Sequence, residues 1–156
     1  MSSHSFEVTT VAKAPREKVW ALVSDGAGWK VWAGVVRSSL EREGDPPPDG
    51  VGAIRLLGPR PFSSREEVVV WEPPSHLGYV ILSGVPVRNY RADIRLSESV
   101  AGDGSQITTI EWSATFDSKR PVPGALMRIG LGAMIGRFAR RAARHAASGV
   151  GRPVLP

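Results

Sequence analysis

The chain has 156 residues, 42% hydrophobic and 22% charged, a composition that suits one globular domain large enough to bury a core. It contains no cysteine, which excludes disulfides, thiolate metal sites and cysteine nucleophiles. The net charge of +5 is uneven: residues 1–119 carry 13 Lys and Arg against 15 Asp and Glu, whereas residues 120–156 carry seven Arg and no acid.

MSSHSFEV at the N-terminus has neither the basic nor the apolar region of a signal peptide. No window reaches the ~18 uninterrupted apolar residues of a membrane span, since the nearest, 124–136, is broken by Arg128. A cytoplasmic location is the expectation. Residues 5–12 alternate, with Phe6 and Val8 on one side, and read as a first strand. Pro15 then opens a short helix over 15–23, with Glu17 in its first turn and Val19, Trp20 and Val23 as its apolar stripe. Residues 27–33 form a second helical turn that places Trp29 and Trp32 on one face.

Strands follow at turn-punctuated spacing. Residues 35–43 read as a strand, the 44–50 stretch GDPPPDG as a turn cluster, and 53–57 as the next strand. Residues 63–71 and 76–83 continue the series, and the run Tyr79–Leu82 is apolar enough to expect cover on both faces. Residues 88–96 alternate cleanly, Tyr90, Ala92, Ile94 and Leu96 against Asn89, Arg91, Asp93 and Arg95. A hairpin signal at 101–104 leads to 107–116, with Ile110, Trp112, Ala114 and Phe116 on one side. Short turns between successive strands imply an antiparallel meander.

The last long stretch, 122–148, predicts a helix of ~40 Å. On a 3.6-residue period Met127, Leu131, Met134, Ile135, Phe138, Ala142 and His145 gather on one face, and Arg137, Arg140, Arg141 and Arg144 on the other. An apolar face of that length requires a concave partner, which a twisted meander supplies.

This order resembles the SRPBCC superfamily, which includes START domains, plant pathogenesis-related allergens, and bacterial polyketide cyclase/dehydrase and lipid-transport proteins. The resemblance rests on VAKAPREKVW at 11–20, WKVW at 29–32, REEVVVWEPP at 65–74 followed by Tyr79, and VRNYR at 87–91. It extends from about residue 5 to 147. It implies an α+β helix-grip fold: a curved seven-stranded antiparallel sheet around a long C-terminal helix, with two short helices after the first strand. One domain spanning 1–156 is expected, its core at about 5–148 and a short tail at 149–156. The resemblance also implies a deep apolar cavity, but no one chemistry and no shared catalytic motif.

The helix residues Met127, Leu131, Met134, Ile135 and Phe138 then become candidate ligand-binding wall, facing Tyr90, Ala92, Ile94, Ile110, Trp112 and Ala114 on the sheet. Tyr79 joins them, and Trp29 and Trp32 close one end. The same stripe also serves simply to fill a core. For acid–base chemistry of a polyketide cyclase/dehydratase type, the candidates are Tyr90, Tyr79 and Glu66. Glu66 and Glu67 point to opposite faces, so at most one is inward, and the parity of Glu111 places it outside. His145 belongs at a solvent-facing helix end, and His4, His76 and His145 are too scattered for a metal. No cofactor and no nucleic-acid partner are expected, because no aromatics interleave with the arginines.

The leading expectation is a cofactor-free protein that binds a hydrophobic small molecule, either a polyketide-like aromatic or a lipid. The alternative is a non-catalytic interaction module, like the chaperone activators of that superfamily, docking through Arg137, Arg140, Arg141 and Arg144. Those arginines also suit peripheral membrane contact without stable insertion, although that reading requires the helix to leave its sheet. The oligomeric state is left between monomer and homodimer.

Overall fold

A computed structural model describes residues 3–118 and 123–148. Strands β1 (Ser3–Ala12), β2 (Ser38–Arg42), β3 (Ile54–Leu57), β4 (Ser64–Glu72), β5 (His76–Ser83), β6 (Val87–Val100) and β7 (Gln106–Ser118) form one sheet. Its order is β1-β7-β6-β5-β4-β3-β2, with every neighbouring pair antiparallel. Helices α1 (Arg16–Val23) and α2 (Trp29–Trp32), joined through a 3-10 turn at Gly26–Gly28, follow β1, and α3 (Gly124–Ser148) ends the described chain. The meander and the helix-grip arrangement expected from the sequence are thus present. The expected helix start at Val122 and the 149–156 tail lie outside the described residues.

Register shifts at Leu40/Arg42, Arg65/Glu66, Val68/Val70 and Arg88/Arg91 bend the strands toward the helices. The alternation in β6 and β7 is realised: Tyr90, Ala92, Ile94 and Leu96, with Ile110, Trp112, Ala114 and Phe116, are all buried on the concave face. Three expectations need correction. Strand β2 starts at Ser38 rather than 35, because Gly34 adopts a left-handed φ of +78°. Ser38 is also tied to the preceding helical segment, its Oγ donating to the Ala27 carbonyl (2.6 Å) and accepting from the Lys30 N–H (2.9 Å). The Tyr79–Leu82 run is not covered on both faces: Tyr79 is buried, Val80 and Ile81 are half-buried and Leu82 is exposed. The long helix packs on the concave side alone, against β1 and β7.

The third correction concerns the buried stripe of α3, which is rotated from the expected one. Leu131, Ile135, Gly136, Ala139, Ala142, Ala143 and Ala146 are buried, whereas Met127 and Phe138 are half-buried and Met134 and His145 exposed. Small residues permit close approach to β1, where a Cβ on Gly132 would lie 3.7 Å from Phe6 and one on Gly136 3.8 Å from Val8. Close packing of that kind wins over the larger but more peripheral Met and Phe side chains. Ala139→Leu should therefore overpack the seam and lower stability by about 1–3 kcal/mol in urea denaturation. Ala133→Leu, on the exposed side of the same helix, should change it by less than about 0.5 kcal/mol. Equal effects would contradict this seating of the helix.

Candidate functional site

Arg55 is the only arginine of the described residues with no exposed surface. It shares strand parity with Ala53 and Leu57, so it points to the concave face, directly opposite Glu66 in the β3–β4 register. Its Nη2 donates to the Glu66 carboxylate at 2.8 Å and its Nη1 to the Val23 carbonyl at 3.2 Å, while its buried Nε has no partner. The guanidinium lies over two rings, 5.0 Å from the Trp29 centroid and 4.9 Å from that of Tyr79. The segment preceding α2 makes room for it, since a Cβ on Gly26 would come 2.5 Å from Arg55 Cδ. Burial pushes the Glu66 carboxyl above its ordinary 4.5, and Arg55 opposes that shift without cancelling it.

Two phenols extend this polar group. The Trp112 indole N–H donates to the Tyr79 hydroxyl at 3.2 Å, and Tyr79 is hydrogen-bonded to Tyr90. Burial raises both phenols above the ordinary 10, and the negative charge of Glu66 raises each further. They are therefore neutral at any working pH, suited to donate hydrogen bonds and unsuited to act as phenolate bases. Rings close around them: Trp29 meets Trp32 at 4.7 Å, Trp112 at 5.6 Å and Phe138 at 5.5 Å, and Tyr90 stacks on Phe116 at 6.3 Å.

Glu66, itself buried, is among the residues lining an apolar cleft of about 220 Å³ between the sheet and α3. Val35, Leu57, Phe62, Val85, Met134 and Phe138 supply its apolar walls, and Gly58 and Gly84 also line it. Gly84, at φ +95°, packs against the Ser63 backbone, so the β3–β4 and β5–β6 connections meet beside the opening. A second hollow of about 670 Å³ lies where β5 and β6 part: their pairing stops at Val80–Arg91, although β5 continues to Ser83 and β6 begins at Val87. Tyr90 lines this hollow, together with Val80–Leu82 and Val87–Arg91.

Among the residues expected from the sequence, Glu66, Met134 and Phe138 line the cleft. Tyr79 and Tyr90 join Glu66 in the buried polar group. Trp29, Ala92, Ile94, Ile110, Trp112 and Ala114 are covered core residues, and Ala92 and Ala114 stand directly opposite one another. Trp32 is packed on Trp29, Leu131 and Ile135 face the sheet, and Met127 is half-buried. Glu67 turns outward to pair with Arg42 at 2.7 Å, and Glu111 is exposed. Arg55, Val35, Leu57, Phe62 and Val85 were not anticipated. The signal for Arg55 was present in its parity with Ala53 and Leu57, but using it required the β3–β4 register.

The arginine face of α3 is not uniform. Arg137, Arg140 and Arg144 are exposed, while Arg141 is half-buried against Gly34, with its Nε buried and unpartnered. His4 stacks on Phe116, His76 bonds Asp93 at 2.6 Å and His145 is exposed, so the three histidines lie apart. Among the described residues no three His, Asp or Glu side chains come together as a metal site.

Residues 3–147 match the family model described as polyketide cyclase / dehydrase and lipid transport. Solved structures share the fold at low identity. The protein XoxI from Bacillus cereus superposes with a TM-score of 0.72 at 18% identity, over 97% of this chain and 100% of that one. A START superfamily protein from Mycobacterium smegmatis gives 0.72 at 15% identity, over 93% and 98%. Ara h 8.0201 gives 0.68 at 17% identity, over 95% and 100%. No protein of curated function matches the sequence.

Arg55→Met should cost about 3–5 kcal/mol, because it leaves the Glu66 charge buried and unpaired. The loss should depend on pH. Without Arg55 the folded-state pKa of Glu66 rises further above its unfolded value, so stability is retained at low pH and lost as pH rises through the folded value. Urea denaturation at about pH 5 and about pH 8 should show the larger deficit at the higher pH. Arg55→Met with Glu66→Leu should recover much of it, and a deficit equal at both pH values would contradict the pairing.

Proposed function

The chain belongs to the polyketide cyclase / dehydrase and lipid transport family, and from that premise we propose that it holds a small hydrophobic molecule in the cleft beside Phe138, with a polar group of the ligand at Glu66. The observation that carries this reading is a buried ion pair one member of which, Glu66, lines an apolar cleft. Two charges removed from water cost several kcal/mol each, and a hydrophobic pair would fill the same volume with no such cost. A polar ligand group that donates to Glu66, the member of the pair that lines the cleft, gives the pair a use. The apolar walls suit an aliphatic chain or a reduced aromatic ring system, and Met134 and Phe138, at the helix edge, adapt the width.

The cleft is smaller than the ~300–1,000 Å³ typical of a drug-sized ligand site, so a larger ligand is accommodated by rotation of Met134 and Phe138 outward. An environment-sensitive apolar fluorophore should bind the wild-type protein and be displaced by fatty acids or polycyclic phenols, with native mass spectrometry reporting the complex. Met134→Arg with Val85→Arg, which fills the mouth with charge, should weaken binding at least tenfold, about 1.4 kcal/mol. Unaltered binding in that double variant would sink the cleft as the site.

The enzymatic form of this reading is a cyclase or dehydratase. In it a ligand that extends from the cleft to the β5–β6 hollow accepts from the neutral Tyr90 hydroxyl at a carbonyl, and Glu66, its pKa raised by burial, exchanges a proton with the ligand from the cleft side. If so, Tyr90→Phe and Glu66→Gln should each lower turnover of a polyketide-like substrate by about 10²–10⁴-fold. Turnover that survives both changes would remove these roles from Tyr90 and Glu66, and no turnover by the wild-type protein would leave binding alone as the function.

A further inference from the structure

The antiparallel register places the cleft mouth at one end of the molecule. Strand β3 ends at Leu57 and β4 begins at Ser64, β5 ends at Ser83 and β6 begins at Val87, and β2 begins at Ser38. The connections 58–63 and 84–86 and the approach to β2 therefore emerge together. The start of α3 joins them, because Gly124 lies against His4, which pairs with Phe116 near the end of β7.

Exposed apolar surface gathers at this end. Phe62 is 79% exposed and Val36 78%, the two highest values among large apolar side chains of the described residues. On α3, Leu126 is 62% and Ile129 63% exposed. No residue of the helix before Leu131 is buried. The outward stripe of α3 is apolar at Leu126, Ile129 and Ala133 and turns basic at Arg137, where the arginine face read from the sequence begins.

The strand connections at the two ends differ in charge as well. Segments 33–37, 58–63 and 84–86 contain Arg37 and Arg60 and no acid. Among the described residues neither these nor Arg137 has a carboxylate partner, whereas Arg42, Arg65 and Arg91 on the sheet are each ion-paired. At the opposite end, residues 43–53 carry Glu43, Asp45 and Asp49, and the 101–105 turn carries Asp103, with no base in either.

We propose that the cleft-mouth end is a docking face for the surface of an anionic lipid bilayer. Exposed apolar tips interspersed with unpaired arginines match the two components of interfacial binding: burial at the acyl boundary and attraction to anionic headgroups. A second copy of the chain fits less well, because apposing this face with itself sets arginine against arginine. No helix of the described residues is long and apolar enough to cross a membrane, so the contact is peripheral. Helix α3 need not leave its sheet, because the part that meets lipid is already uncovered.

The test is flotation of the full chain with vesicles of phosphatidylcholine alone and of phosphatidylcholine with about one third phosphatidylglycerol. Binding is expected only to the anionic vesicles, weakening as salt is raised. Leu126→Asp with Ile129→Asp, and separately Arg37→Glu with Arg60→Glu, should each reduce it at least tenfold, since each arginine at such a surface is worth about fivefold. Val100→Asp, at the opposite end, should leave it unchanged. All five side chains are exposed, and circular dichroism checks that each variant folds. Absence of flotation, equal flotation of all variants, or a wild-type dimer dispersed by Leu126→Asp with Ile129→Asp would overturn the proposal. The readout uses no ligand, so it stands or falls independently of the cleft.

Discussion

A guanidinium and a carboxylate removed from water each lose several kcal/mol of hydration, and the inner face of this sheet is arranged to return it. Arg55 and Glu66 stand opposite on neighbouring strands and meet at 2.8 Å. The Val23 carbonyl takes a second guanidinium N–H, and Trp29 and Tyr79 place their ring faces at 5.0 and 4.9 Å. Each partner comes from a different element: the end of α1, the start of α2, β3, β4 and β5. The pair therefore ties the short helices to the strands that border the cleft, and its geometry is inherited by Tyr79, Tyr90 and Trp112 alongside.

Helix α3 has two tasks, and its sequence separates them by side-chain size. Alanines and glycines along its buried stripe let it lie close to β1, which anchors it. Met134 and Phe138 lie at the edge of that stripe and face the cleft rather than the seam. A helix held by small residues along one side can present larger, softer side chains along the next without loosening its own seat.

The two ends of the molecule differ for a related reason. Antiparallel strands send alternate connections to opposite ends, so composition that differs between alternate loops becomes polarity in space. The Pro- and Asp-rich connection and the tight 101–104 turn lie at one end, and the Gly-Pro-Arg-Pro-Phe and Gly-Val-Pro connections at the other. Among the described residues, cleft opening, exposed apolar tips and unpaired arginines thus coincide at one end.

Much of the architecture was legible because it depends on local periodicity. Period-two alternation marked β6 and β7 and identified their buried residues, and turn residues separated the strands. Parity alone also limited Glu66 and Glu67 to opposite faces and placed Glu111 outside. The site was less legible because it depends on which strand lies opposite which. The parity of Arg55 with Ala53 and Leu57 points it inward, but an inward arginine reads as an error until the β3–β4 register brings it to Glu66 and offsets its charge. The rotation of α3 was likewise hidden, since hydropathy ranks Met and Phe above Ala and Gly, while close packing on β1 prefers the small ones. The sequence by itself determined the strands, the helices and the asymmetric charge. The tertiary structure alone decided which glutamate is buried, what neutralises it and which end of the molecule opens, because these depend on long-range register and packing that no local pattern encodes.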